Sequence, residues 1–183
     1  MLWLFEWLES TRASRALIES ELLWALIESV HVWTLPVFFG LTAILDLRLL
    51  GQILRKTPVT EASRRLLPWM TGSFAVLVVT GSLLFFAKPV RTYQSIWFRG
   101  KVIMLLLAGL NVWLFHSGVY KRVAEWNIGL PPRRARIAAA VSLALWMGII
   151  VFGRMIAYNW ADCARQPQPA LINLLAGCVV ERR

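Results

Sequence analysis

Four long apolar segments constrain the fold of this chain more than any other feature of its sequence. They cover residues 22–50, 66–86, 102–120 and 137–158. Crossing the hydrocarbon core of a bilayer takes about 20 helical residues, and each segment is close to that length or longer. None alternates apolar and polar residues as a membrane barrel strand does. We therefore predict an all-α fold in which residues 22–158 form a four-helix transmembrane bundle.

The composition excludes most classes of soluble protein. Of the 183 residues, 58% are hydrophobic and only 16% are charged, whereas charged residues make up about 25% of an ordinary soluble domain. The net charge of +10 fits the excess of Lys and Arg that membrane proteins carry in cytoplasmic loops. We expect contact with a lipid bilayer and no binding of nucleic acid. Neither a dinucleotide-binding glycine motif nor a P-loop motif occurs in the sequence.

The two ends of the chain differ from the apolar segments. Residues 1–21 mix Leu, Trp and Phe with Glu and Arg, a composition typical of an amphipathic helix lying at the membrane interface. The loops after the first and third segments carry ten Lys and Arg residues, counting Arg48, against four between the second and third. The sequence therefore predicts a multi-pass protein of the bacterial inner (cytoplasmic) membrane with both termini periplasmic.

This orientation puts the C-terminal tail, residues 159–183, in an oxidising compartment. Cys163 and Cys178, the only cysteines of the chain, both lie in the tail. We predict that they form a disulfide. Two unpaired thiols are the alternative.

Two histidines, His31 and His116, are the strongest candidates for metal ligands. Imidazoles on transmembrane helices are the usual axial ligands of haem b. His31 precedes Arg48 by 17 residues and His116 precedes Lys121 by 5, so their levels in the membrane differ by roughly 18 Å at 1.5 Å per residue. The sequence favours two sites with one histidine each, completed by Met155 and Met70 respectively, by a partner subunit or by a second copy of the chain.

Other charged residues near these levels could complete a haem site. Glu28 precedes His31 by three residues and could orient its imidazole. A di-iron site is not expected, because it needs two such Glu-x-x-His motifs and two further carboxylates. Four basic residues are candidates for neutralising haem propionates: Arg91, Arg99, Lys101 and Arg154.

Several motifs carry a resemblance to known proteins. They are Leu45-Asp46-Leu47-Arg48-Leu49-Leu50-Gly51, Arg64-Arg65-Leu66-Leu67-Pro68-Trp69, Phe98-Arg99-Gly100-Lys101, Leu105-Leu106-Leu107-Ala108-Gly109-Leu110-Asn111, Phe115-His116 and Gly153-Arg154-Met155-Ile156-Ala157-Tyr158. Together they resemble a family of uncharacterised bacterial four-helix inner-membrane proteins, itself distantly similar to the CopD-like membrane domain and to membrane b-type cytochromes. The resemblance covers about residues 20–160. It implies a four-helix membrane protein with His31 and His116 as candidate haem or copper ligands.

Three functions remain open on the sequence. The first is a haem-b-binding electron-transfer subunit, which passes electrons between a quinone or a membrane redox partner and a second redox protein. The second is a copper-handling protein that uses the two histidines and methionines, although the chain has no Met- or His-rich tract. The third is a non-catalytic scaffold or assembly subunit, alone or as a homo-oligomer. No residue pattern supports intrinsic catalysis.

Overall fold

A computed structural model describes residues 2–158, 163 and 167–178. Helices are the only regular secondary structure in that part of the chain. Eight α-helices follow one another: α1 (Leu2–Ser10), α2 (Arg12–Glu19), α3 (Glu21–Leu49), α4 (Val59–Ala87), α5 (Pro89–Tyr93), α6 (Ile96–Leu114), α7 (Arg133–Ile156) and α8 (Ala170–Ala176). A π-helical turn, Phe115–Val119, and a 3-10 helix, Tyr120–Glu125, continue α6. The predicted all-α class is confirmed.

Within the described residues, four helical runs are long and apolar enough to cross a membrane: Glu21–Leu49, Val59–Ala87, Ile96–Glu125 and Arg133–Ile156. They correspond to the four predicted segments, but all four begin earlier than expected, three of them by four or more residues. α4 begins at Val59 because Asn127 satisfies its first donors: the carbonyl oxygen of Asn127 accepts from Val59 N–H, and its Oδ1 accepts from Thr60 N–H. α7 begins directly after Pro131 and Pro132, whose fixed φ suits the start of a helix.

The N-terminal segment forms two helices, where a single amphipathic helix was predicted. Thr11 has an extended backbone (φ −66°, ψ 146°) between α1 and α2, and its hydroxyl oxygen accepts a hydrogen bond from Ser14 N–H. Threonine in this role ends one helix and begins the next. The buried Ser14 hydroxyl donates to the carbonyl oxygen of Phe86 at 2.9 Å, which holds α2 at the C-terminal end of α4.

The chain divides into two compact units. The first comprises residues 1–31, 78–103 and 149–183, and the second comprises residues 32–77 and 104–148. The first unit therefore contains α1, α2, α5 and α8 with one end of each long helix. Phe5 of α1 stacks on Tyr93 of α5 in this unit, with ring centroids 4.3 Å apart.

The second unit has an aromatic cluster and a buried guanidinium. Phe38 of α3 packs against Phe74 of α4 and Trp146 of α7 at centroid distances of 5.4 and 4.6 Å. Arg48 is completely buried near the end of α3. Its guanidinium donates to three backbone carbonyls of the connecting segments, those of Thr57, Asn127 and Gly129, at 2.9–3.3 Å. Arg48 therefore joins two loops that are distant in the sequence.

In the first unit, a disulfide closes the C-terminal tail into a loop, and Arg99 of α6 binds that tail. Cys163 and Cys178 form a disulfide. Helix α8 ends at Gly177, whose φ of +72° is a left-handed conformation that glycine adopts readily. The guanidinium of Arg99, in the first turn of α6, donates to the carbonyls of Leu175 and Ala176 at that helix end.

Candidate functional site

His31 makes its principal polar contact with α4. A hydrogen bond of 2.8 Å joins its Nδ1 to the hydroxyl of Thr80, which is buried. The next residue, Gly81, lets the ring lie against the helix, because a Cβ atom at this position would be only 3.2 Å from His31 Cε1. The imidazole is thus fixed in orientation by a hydroxyl and by a glycine surface. The sequence alone shows this surface only as the small-residue cluster Thr80-Gly81-Ser82.

Lys101 of α6 is the charged residue whose field acts on His31. It is half-buried and extends toward α7, where its Nζ lies 3.4 Å from the position that a Cβ of Gly153 would occupy. Among the described residues, the only ion pair is that of Glu61 and Arg65. Lys101 therefore has no carboxylate partner there, although it belongs to a membrane-spanning helix.

Trp97 lies one turn before Lys101 on α6. Like the ammonium of Lys101, its indole N–H is a donor without a partner among the described residues. Its indole packs edge-on against Phe152 of α7, with centroids 5.1 Å apart. The indole Nε1 is buried and meets no acceptor among the described residues. Positions four apart share one face of a helix, and both side chains contact α7. We call His31, Thr80, Trp97 and Lys101 the His31 site.

All four long helices contribute to the His31 site. α3 supplies the imidazole, α4 the hydroxyl, α6 the two donors, and α7 the glycine against which Lys101 lies. An oriented imidazole beside an ammonium and an indole N–H can bind a group that combines a metal ion with carboxylates. Trp97 was not predicted from the sequence, because a tryptophan at a helix end is usually only an interfacial anchor.

The other three residues that were predicted to neutralise haem propionates have different surroundings. Arg99 donates to the carbonyls of Tyr93, Leu175 and Ala176. Arg154 is exposed and lies over the ring of Tyr158. Arg91 is exposed and lines a shallow cavity of about 250 Å³ with Glu9, Val90, Gln94 and Cys163. Of the four basic residues, Lys101 is the one that the structure places at His31.

Glu28 is exposed, and no hydrogen bond joins it to His31 within the described chain. Thr80 takes the orienting role that the sequence assigned to this carboxylate.

His116 has a different environment from His31. It belongs to the second unit and is exposed, and its Nδ1 lies 3.0 Å from the carbonyl oxygen of Val112 in its own helix. Its ring centroid is 5.1 Å from that of Tyr120. Met70 is half-buried in the same unit, as Met155 is in the first. The described residues include no group of three or more His, Cys, Asp or Glu side chains that could hold a metal ion.

Comparison with known proteins gives one match. Residues 4–159 match the model of a family of unknown function, DUF6644. No curated protein and no solved structure matches the chain. The more distant likeness to the CopD-like domain and to b-type cytochromes stays a prediction.

Proposed function

The chain belongs to the DUF6644 family of unknown function, and we propose that it is a haem-b-binding electron-transfer subunit of the bacterial inner membrane, with both termini periplasmic. It would pass electrons between a quinone or a membrane redox partner and a second redox protein. The observation that best supports this function is that one compact unit holds an imidazole oriented by Thr80 together with Lys101 and Trp97, whose donors have no partner among the described residues.

His31 has the arrangement that a metal-binding imidazole needs. Its Nδ1 is held by Thr80, which leaves Nε2 as the coordinating nitrogen. Histidines that bind metals generally use the second ring nitrogen in a hydrogen bond of this kind, which fixes the orientation of the ring. Met155, half-buried in the same unit, is the candidate for a second residue that would hold the haem.

Lys101 and Trp97 fit the carboxylates of a haem. An ammonium without a counter-ion is costly within a membrane, and a buried N–H without an acceptor costs about 1–3 kcal/mol. A propionate that accepts from both groups would remove both penalties. When bound, the haem would supply one-electron chemistry, while His31 would position it and Lys101 and Trp97 would bind its carboxylates.

The first test is an absorbance spectrum of the purified full chain, oxidised and reduced, with pyridine haemochrome and metal analysis of the same sample. We expect a b-type haem in the wild type and its loss in His31→Ala. His116→Ala is the matched control and should keep the spectrum, because that exposed ring bonds to its own helix. Thr80→Val should retain haem with altered bands, since it removes only the orienting hydroxyl.

Three outcomes would contradict the proposal. A colourless protein without metal would favour a scaffold subunit, and bound copper without haem would favour copper handling. An unchanged spectrum in His31→Ala would show that haem binds elsewhere in the chain.

A further inference from the structure

A buried carboxyl group lies outside the His31 site and has no role in the function proposed above. Asp46, near the end of α3 in the second unit, is only 6% exposed. It shares a side-chain hydrogen bond with Ser142 of α7, which is also buried. Its other oxygen, Oδ2, is buried and has no hydrogen-bond partner among the described residues. One of its two oxygens is thus without a hydrogen bond in the described part of the chain.

No positive charge compensates Asp46. Arg48 follows it by two residues, so the two side chains leave α3 in different directions, and Arg48 donates to the carbonyls of Thr57, Asn127 and Gly129. In the part of the chain that the structure describes, Asp46 forms no ion pair.

The polar groups of the surrounding helices are neutral or paired elsewhere. Thr42, one turn earlier on α3, donates to Phe38, and Asn111 of α6 donates to the carbonyl of Ala138, one turn before Ser142. Tyr120 packs with the apolar cluster of Leu49, Val59 and Ala139.

The charged residues of α4 in this unit are Glu61, Arg64 and Arg65. Glu61 pairs with Arg65, and both arginines are exposed. The basic residues that begin α7, Arg133, Arg134 and Arg136, are exposed as well.

We propose that Asp46 is a proton-binding site in the membrane-spanning region, with an exchangeable proton carried on Oδ2. An isolated carboxylate in a low-dielectric interior is far less stable than its neutral acid. Uptake transfers one proton from hydronium in the adjacent water to Oδ2, and no electrons move. Ser142 donates to the other oxygen and so orients the acid. Carboxyl groups placed in this way are typical of proton relays, and this role does not depend on haem binding.

Infrared spectroscopy of the full chain in lipid tests this proposal directly. The wild type should show the carbonyl stretch of a protonated carboxylic acid, and Asp46→Asn should lack it. Transfer to D₂O should shift the band, because the proton exchanges. These measurements work on haem-free protein, so failure here is distinguishable from failure of the haem proposal.

A matched pair of serine variants assigns the band to this environment. Ser142→Ala removes the hydrogen bond to Asp46 and should move the band to higher frequency. Ser117→Ala alters an exposed serine whose hydroxyl bonds to the carbonyl of Leu114 and should leave the band in place. The serine pair keeps the assignment testable if Asp46→Asn fails to fold.

Three results would overturn the proposal. The first is the absence of the acid band in the wild type, which would show an ionised carboxylate. The second is a band that does not respond to D₂O, which would show a proton that does not exchange. The third is loss of the band on adding sodium to a sodium-free sample. This would show that the carboxylate of Asp46, with the hydroxyls of Thr42 and Ser142, binds sodium in place of the proton.

Discussion

Arg48 and Lys101 are both basic residues of membrane-spanning helices, but their surroundings differ. The guanidinium of Arg48 is completely buried and reaches three backbone carbonyls. The ammonium of Lys101 is half-buried, lies against Gly153 and has no anionic partner among the described residues. Arginine suits the first role because its planar fork can donate to several acceptors at once, whereas lysine is a compact point charge.

This difference in partners distinguishes a charge that stabilises the fold from a charge that we expect to bind a ligand. Arg48 is satisfied within the protein, so its contribution is to the stability of the second unit. Lys101 has no anionic partner among the described residues, so its contribution is expected in binding. The two histidines differ in a similar way, because His31 is oriented by another helix and His116 by its own.

Replacing Arg48 should have the largest effect on stability. Arg48→Ala removes three charge-assisted hydrogen bonds and leaves three carbonyls without this donor, which we expect to cost on the order of 3–5 kcal/mol of unfolding free energy. Unfolding in detergent by heat or by denaturing surfactant would measure the loss. Arg64→Ala, on an exposed position of α4, is the control and should change little. Equal stability of the two variants would contradict the structural role of Arg48.

Arg99 donates to backbone carbonyls, as Arg48 does. Its partners, however, lie in the C-terminal tail, which the disulfide closes into a loop. The cysteines are 15 residues apart, and closing a loop of about that length contributes roughly 3 kcal/mol in the chain-entropy view. Reduction should therefore speed deuterium exchange in α8 and leave exchange in α4 unchanged.

A thiol reagent should label Cys163 and Cys178 only after this reduction. Labelling of the untreated protein would contradict the bridge. Unchanged exchange in α8 after reduction would show that Arg99 alone holds the tail.

Replacing Lys101 should have the smallest effect on stability and the clearest effect on binding. Lys101→Met keeps the apolar stem and removes the charge, so the unfolding free energy of haem-free protein should stay within about 0.5 kcal/mol of the wild type or increase. Retention of haem during detergent purification should fall, because one propionate loses its partner. A loss of more than about 2 kcal/mol in the haem-free protein would show that Lys101 is a structural charge like Arg48.

Much of the fold follows from local features of the sequence, and much of the site does not. The four apolar segments predicted the four long helices because the length and hydropathy of a segment are local properties. His31 was identified as a candidate because an ionisable group in such a segment is unusual. The division into α1 and α2 was missed, because it depends on the backbone conformation of one residue, Thr11.

The sequence by itself determined an all-α chain with four helices able to cross a membrane, and it narrowed the candidate ligands to two histidines. Only the tertiary structure decided which charges are satisfied. The carbonyls that bind Arg48 include two that are 79 and 81 residues away, and His31 meets Thr80 across 49 residues. Such pairings depend on how the helices pack, which the pattern of apolar residues along one helix does not specify.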